Sequence, residues 1–271
     1  MLCKGEQVHG LYPSRPDHSA SRIVRTMLAR ERSERYDRQI PLLGADGQER
    51  IRDASVFIAG AGGLGSPSAI YLAAAGIGRI AIADFDTVDV NNLNRQILHW
   101  SDDVARMKID SAREKLAKIN PDVEIDAISE KIDEDNVSEL VGDSDPIVDA
   151  MDNFRARYLL NTAAIARNIP LFHGAVHGFD GQVTTVIPGE AACLRCIFLN
   201  DPPEGVFLII GATCGVVASI QVTEVLKYIS GTGALAANRL LFWNGADTTM
   251  SEIPVERDPG CADCKGAGVN R

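Results

Sequence analysis

Val56-Phe57-Ile58-Ala59-Gly60-Ala61-Gly62-Gly63-Leu64-Gly65-Ser66-Pro67 is a short β-branched and aromatic run that breaks into a glycine loop and then into a helical stretch. A GxGxxG match acquires physical meaning in this setting, between a strand and a helix. Glycines let the chain turn tightly and let its backbone approach a phosphate. The helix N-terminus adds unpaired N–H groups at the positive end of its dipole. Ser66 is placed to cap that helix and Pro67 suits its first turn. The loop alone does not choose among NAD, FAD and ATP, because proteins of this architecture share it.

Outward from the loop, short β-branched runs alternate with helical stretches. Residues 56–59, 80–83, 123–128, 146–150 and 171–172 read as strands; residues 66–75, 108–119 and 154–167 read as helices, with Pro121 and Pro170 stopping the last two. That alternation predicts an α/β fold, a Rossmann-like, mostly parallel sheet with flanking helices. A less regular second half follows, with strand-like residues 182–187 and 239–243 and a largely apolar helix over 216–229. Residues 1–33 are rich in Pro, Ser, His and Arg without apolar periodicity and read as a tail, with Met27 an alternative start. The organised domain is expected over 34–265, its nucleotide-binding part at about 54–175 and its second part at about 176–265.

With 271 residues and 45% hydrophobic content the chain can bury a full core. Its apolar stretches are broken by glycine and serine before the roughly 20 residues that span a membrane. A net charge of −10 disfavours nucleic acid, since phosphate neutralisation needs a basic face. The N-terminus lacks the order of a signal peptide, so a cytoplasmic location is expected and the six cysteines read as thiols or metal ligands.

Asp84 ends the strand after the loop, about 20 residues on, where a carboxylate accepts hydrogen bonds from ribose hydroxyls; otherwise it is a strand-end Asp in water. The segment Asn91-Asn92-Leu93-Asn94-Arg95-Gln96 and then Lys108 separate nucleotidyl transfer from hydride transfer. Negative charge shifts between α-phosphate and departing pyrophosphate, and fixed cations such as Arg95 and Lys108 lower that barrier. Asp152, in Asp149-Ala150-Met151-Asp152-Asn153, stands at the carboxyl edge of the sheet. A lone carboxylate suffices for magnesium, which completes its shell with water and phosphate oxygens, and the alternative is that Asp152 caps the helix after it.

Cys193, Cys196, Cys261 and Cys264 form two CxxC pairs far apart in the chain. Tetrahedral thiolate zinc is the expected product, structural because four ligands leave no open position. Cys214 opens an apolar helix and reads as a small buried residue.

Together these segments resemble the ThiF/MoeB/HesA family, the molybdopterin-synthase and thiamine sulfur-carrier adenylyltransferases, relatives of ubiquitin-activating enzymes. The likeness runs from Arg35 to Lys265 and rests on Arg35-Tyr36-Asp37-Arg38-Gln39-Ile40, the glycine loop, Asp84-Phe85-Asp86, Asn92-Leu93-Asn94-Arg95-Gln96, Lys108, Asp152-Asn153 and the paired CxxC. It implies ATP and magnesium as ligands and a nucleotide set of Gly60, Gly62, Gly63, Gly65, Asp84, Asn91, Asn92, Arg95, Lys108, Asp152 and Asn153. Within that set Asp84 meets the ribose, Asn92, Arg95 and Lys108 the phosphates, and Asp152 the magnesium. Arg38 matches an arginine that reaches the γ-phosphate from the partner subunit, which implies a homodimer. Arg38, Arg95, Lys108 and Asp152 are then the catalytic residues, and the substrate is the C-terminal carboxylate of a ubiquitin-like β-grasp sulfur carrier.

The sequence departs from many relatives at residues 197–210, a short crossover without cysteine. Relatives that form a covalent sulfur link use a cysteine there, so this chain is expected to stop at the acyl-adenylate. A separate sulfur donor protein is implied. Molybdopterin, thiamine, tRNA thiolation and protein conjugation all remain open as destinations of the carrier. Rival readings are adenylation of a small-molecule or tRNA-base carboxylate, and a non-catalytic nucleotide-binding regulator. The zinc pairs and acidic charge oppose the tRNA branch, and joint retention of the four catalytic residues opposes the regulator.

Overall fold

The structure is a computed structural model that describes residues 34–198 and 208–266. The predicted tail and most of the crossover segment lie outside the described residues. The chain divides into two compact units, residues 1–38 and 39–271. In the first, residues 34–38 pass from a helical start into a turn.

The second unit opens with α1 (Ile40–Leu43) and α2 (Ala45–Asp53), then β1 (Ser55–Ala59), α3 (Gly65–Ala75), β2 (Arg79–Ala83), α4 (Lys108–Ile119) and β3 (Glu124–Ile128). It continues through α5 (Val137–Val141), β4 (Ile147–Asp149), α6 (Phe154–Arg167), β5 (Leu171–His177), β6 (Asp180–Val186) and α7 (Leu194–Ile197). It closes with α8 (Gly211–Ser230), β7 (Arg239–Asn244) and β8 (Thr249–Pro254). One eight-stranded sheet runs in the order β3-β2-β1-β4-β5-β6-β7-β8. The first five strands are parallel and the last three antiparallel. The strand order reverses between β1 and β4, and in open α/β sheets ligands bind in the crevice outside the carboxyl ends at such a point.

Alternate residues of β1 explain why the sheet is covered on both faces. Val56 and Ile58 join Leu72, Ile80, Ile82, Leu116, Phe172 and Val225 in a core beneath α3, α4 and α8. Phe57 and Ala59 join Leu140, Ile147, Leu160, Leu171, Val186 and Leu194 on the opposite face, beneath α5 and α6. A strand buried on both faces reads as a continuous apolar run, as residues 56–59 do. The register places Ala59 beside both Ala83 and Asp149. Gly60, Asp84 and Ala150 therefore leave the sheet side by side.

The predicted parallel strands and their helices are all present, and α4 ends at its C-cap Asn120 just before Pro121. The last turn of α6 closes on Asn168 in the left-handed conformation (φ 55°), which is what stops that helix ahead of Pro170. Helix α8 begins at Gly211 rather than near residue 216. A Cβ at Gly211 would stand 2.4 Å from the Asn94 carbonyl oxygen, so a residue with low helix propensity opens the helix where it must touch another segment. Strand β8 escaped the sequence reading because it is an exposed edge without a buried face. Among the described residues no helix is long and apolar enough to cross a membrane.

Phe57 is fully buried, so Phe57→Ala is expected to destabilise the unit by about 3–5 kcal/mol in denaturant titration. A loss below about 1 kcal/mol would remove Phe57 from the core.

Candidate functional site

Gly60 ends β1 with φ at +101°, a conformation that L side chains rarely adopt. A Cβ on Gly65 would stand 1.8 Å from the Gly60 carbonyl oxygen, so only glycine fits where α3 crosses the end of the strand. A Cβ on Gly63 would meet Cys214 Sγ at 3.0 Å and the aliphatic carbons of Arg95 at 3.6 Å. The loop is hemmed by the end of β4 on one side and by Arg95 and Cys214 on another. Ser66 does not cap α3, contrary to the sequence reading: its hydroxyl donates to the Ala61 carbonyl at 3.2 Å. Leu64 holds the N-cap position, and no side chain caps the helix. The first turn keeps its positive end for an anion.

Asp84 turns toward this loop. Its Oδ2 accepts from the Ala61 N–H at 2.8 Å and its Oδ1 from the Asp86 N–H at 2.9 Å. Lys108 is buried at the start of α4, with Nζ 2.8 Å from Asp86 and 3.8 Å from Asp84. The carboxylate expected at the ribose thus also braces the glycine loop, and the lysine expected at the phosphates carries acidic neighbours.

The short 3₁₀ turn Val90–Asn92 is capped by Asp89, which accepts from the Asn91 N–H at 2.9 Å. The Asn92 side chain accepts from Asp89 N and donates to Asn91 Oδ1, so both asparagines are tied into the turn. Arg95 Nη1 donates to the Asn91 carbonyl at 2.9 Å and to Asn94 Oδ1 at 3.0 Å. Among the described residues no carboxylate lies within ion-pair distance of Arg95. A guanidinium whose stem lies against Gly63 and which is held by neutral acceptors retains its charge for an anion.

At the end of β4 the capping alternative for Asp152 is removed by its neighbour. Asn153 caps α6, accepting from the Ala156 N–H at 2.9 Å, and donates to Asp152 Oδ1 at 3.2 Å. Asp152 is exposed and is not the cap. The switch point therefore brings together Gly60, Gly62, Gly63, Gly65, Asp84, Lys108, Asp152 and Asn153 at one sheet edge, with Arg95 beside Gly63. Arg38 is exposed and belongs to the first unit.

Sequence reasoning missed the buried polar groups underneath. Asp149 and His173 are fully buried cross-strand partners, with Nδ1 of the ring 2.7 Å from the carboxylate. Burial pushes the His173 imidazole down from its ordinary range, and the neutral ring donates from Nδ1 to the Asp149 side chain. Arg157 donates to the Met151 carbonyl at 2.8 Å and has Nε 3.8 Å from Asp149, fixing the turn that presents Asp152. The available signal was an aspartate ending the apolar run Ile147-Val148, since a buried carboxylate demands partners.

The two CxxC pairs meet across the second half of the unit. Sγ atoms of Cys193 and Cys196 lie 3.8 Å apart, Cys193 and Cys261 3.7 Å, and Cys196 and Cys264 3.5 Å. Four thiolates around zinc at tetrahedral angles are spaced at about 3.8 Å, so the donor set fits that ion. Burial pushes the Cys193 thiol well above its ordinary value, which a divalent cation in the cluster would reverse. Phe198, just after α7, accepts from the Tyr158 hydroxyl at 3.0 Å and packs against the His173 ring, linking the cysteine cluster to the floor beneath Asp152.

The ThiF family profile matches residues 36–263. The chain is 40% identical to a SAMP-activating enzyme E1 of Haloferax volcanii over 88% of this chain and 90% of that protein. It is 38% identical to a sulfur carrier protein adenylyltransferase of Thermus thermophilus over 87% of this chain and 92% of the relative. Among solved structures, E. coli MccB with ATP superposes with a TM-score of 0.78 at 23% identity, covering 85% of this chain and 73% of that one, which shows a shared fold.

Two outcomes follow from this geometry. Gly65→Ala is expected to abolish nucleotide binding in equilibrium dialysis, because the Gly60 carbonyl occupies the added methyl's place; unchanged affinity would refute the loop as drawn. Replacing Cys261 and Cys264 with Ser is expected to release about one zinc per chain, read by metal analysis. A stable wild type without metal would remove the assignment.

Proposed function

The chain belongs to the ThiF family, and from that membership we propose that it adenylates the C-terminal carboxylate of a ubiquitin-like sulfur-carrier protein with ATP. What carries the reading is the convergence at the switch point of a glycine loop, the guanidinium of Arg95 and an exposed carboxylate, Asp152, whose capping duty Asn153 has taken. A hydride-transfer site has no use for that combination. The relatives named for sulfur carrier adenylation and for E1 activity support it along nearly their whole length.

A terminal carboxylate has a pKa near about 3.5, so it arrives ionised and no general base is needed. One of its oxygens bonds to the α-phosphorus of ATP while the bond from that phosphorus to the bridging oxygen breaks, and pyrophosphate leaves with the electron pair. The glycine loop and the first turn of α3 position the phosphates, and Arg95 offsets charge as it moves toward the leaving group. Lys108 serves the same field, tempered by Asp86. Asp84 keeps its bond to the loop and offers its remaining lone pairs to the ribose hydroxyls. Magnesium, held by Asp152, supplies Lewis-acid charge to the phosphate oxygens when bound. Arg38 acts in the site of a second copy, which makes the working form a homodimer. Zinc in the four-cysteine cluster is structural. A separate protein supplies the sulfur that attacks the acyl-adenylate, and the reaction takes place in the cytoplasm.

ATP–pyrophosphate exchange with purified β-grasp carriers is expected to appear with one carrier and to vanish when its final glycine is removed. Asp152→Ala is expected to abolish magnesium-dependent exchange and leave thermal stability unchanged. Silence with every carrier despite bound ATP would sink the carrier assignment in favour of a small-molecule carboxylate, and an active Asp152→Ala enzyme would sink the metal assignment.

A further inference from the structure

His99 is 3% exposed and lies between the glycine loop and α4, outside every residue assigned above. Its Nε2 is 3.0 Å from the Ala61 carbonyl oxygen and its Nδ1 is 2.8 Å from Ser111 Oγ. A carbonyl only accepts, so Nε2 must carry a hydrogen. Burial pushes the ring below its ordinary pKa, outweighing the Ala61 carbonyl's pull in the other direction, and with Lys108 adding to the downward push; the ring is neutral. Nδ1 is then an acceptor, and the Ser111 hydroxyl donates to it. The Ser111 oxygen in turn accepts from Lys115 Nζ at 3.0 Å, and Lys115 is paired with buried Asp103. Burial raises the Asp103 carboxyl, but the Lys115 ammonium and the Trp100 N–H overcome it and hold the group at about 2.

We infer that His99 is a positioning residue for the nucleotide loop: the Ala61 carbonyl fixes its tautomer, and the Asp103–Lys115–Ser111 chain holds its other nitrogen so that the ring grips that carbonyl. Ala61 is held on both sides, the N–H of the peptide before it by Asp84 and the carbonyl of the peptide after it by His99 and Ser66. With both peptide planes fixed, the following N–H groups of the loop are preset for phosphate, and binding costs less ordering. The inference rests on the nucleotide reading of the loop.

The test uses ATP with magnesium and the full-length protein, comparing wild type with His99→Gln and His99→Asn. Glutamine places its amide nitrogen near the Nε2 position and asparagine near Nδ1, so polarity is matched while only the first can reach Ala61. His99→Gln is expected to bind ATP close to wild type and His99→Asn about tenfold more weakly, appearing in KM for ATP more than in kcat. Long-range ¹H–¹⁵N spectra of wild type are expected to show the Nε2–H tautomer for His99, which needs no variant to fold. An Nδ1–H tautomer, or equal ATP affinity for the two folded variants, would overturn the inference while ATP binding by wild type leaves the nucleotide reading standing. Absence of ATP binding by wild type would overturn both.

Discussion

Gly65 passes so close to the Gly60 carbonyl that the turn from β1 into α3 admits no side chain there, and the site is arranged around that crossing. The close approach brings the first turn of the helix to the strand end and keeps its dipole uncapped. Because β1 is flanked by β2 and β4 in register, the same crossing aligns Asp84 and the Asp149–Asp152 turn on either side of the loop. A glycine loop with a carboxylate at each flank follows from strand order and one glycine contact.

Two buried polar systems hold the flanks. On one side His99, Ser111, Lys115 and Asp103 tie α4 to the loop; on the other His173, Asp149 and Arg157 tie β5 and α6 to the turn that carries Asp152. Replacing a buried ion pair with apolar side chains of equal volume is often neutral or stabilising, so such groups beneath a site bear more on geometry than on stability. Each system leaves one peptide of a ligand-facing turn unable to rotate. Preorganised dipoles of that kind act on a shifting phosphate charge without reorganising at the moment of reaction.

The four-cysteine cluster belongs to the same argument through packing. It joins α7 to the segment after β8, and its neighbour Phe198 lies against the His173 ring. The antiparallel strands β6, β7 and β8 extend the sheet beyond the parallel core, and the cluster fastens the C-terminal chain back across the face that α6 covers.

The parallel half of the fold was legible because strands buried on both faces read as apolar runs and helices close on glycine, proline or asparagine. The glycine loop between strand and helix, the place of Asp84 and Asp152 just past strand ends, and the paired cysteines were legible because each is tied to local spacing. Edge strand β8, the early start of α8 and helix α2 were not, since an exposed strand has no period and a glycine-opened helix contradicts propensity. By itself the sequence determined the class of fold, the glycine loop and the thiol set. Tertiary structure alone decided that Asn153 rather than Asp152 caps α6, that Ser66 serves Ala61 rather than α3, and that His99 and Asp149 matter at all. The reason is that a hydrogen bond across 38 residues, or a cross-strand pair such as Asp149 and His173, depends on register and burial, which no local pattern encodes.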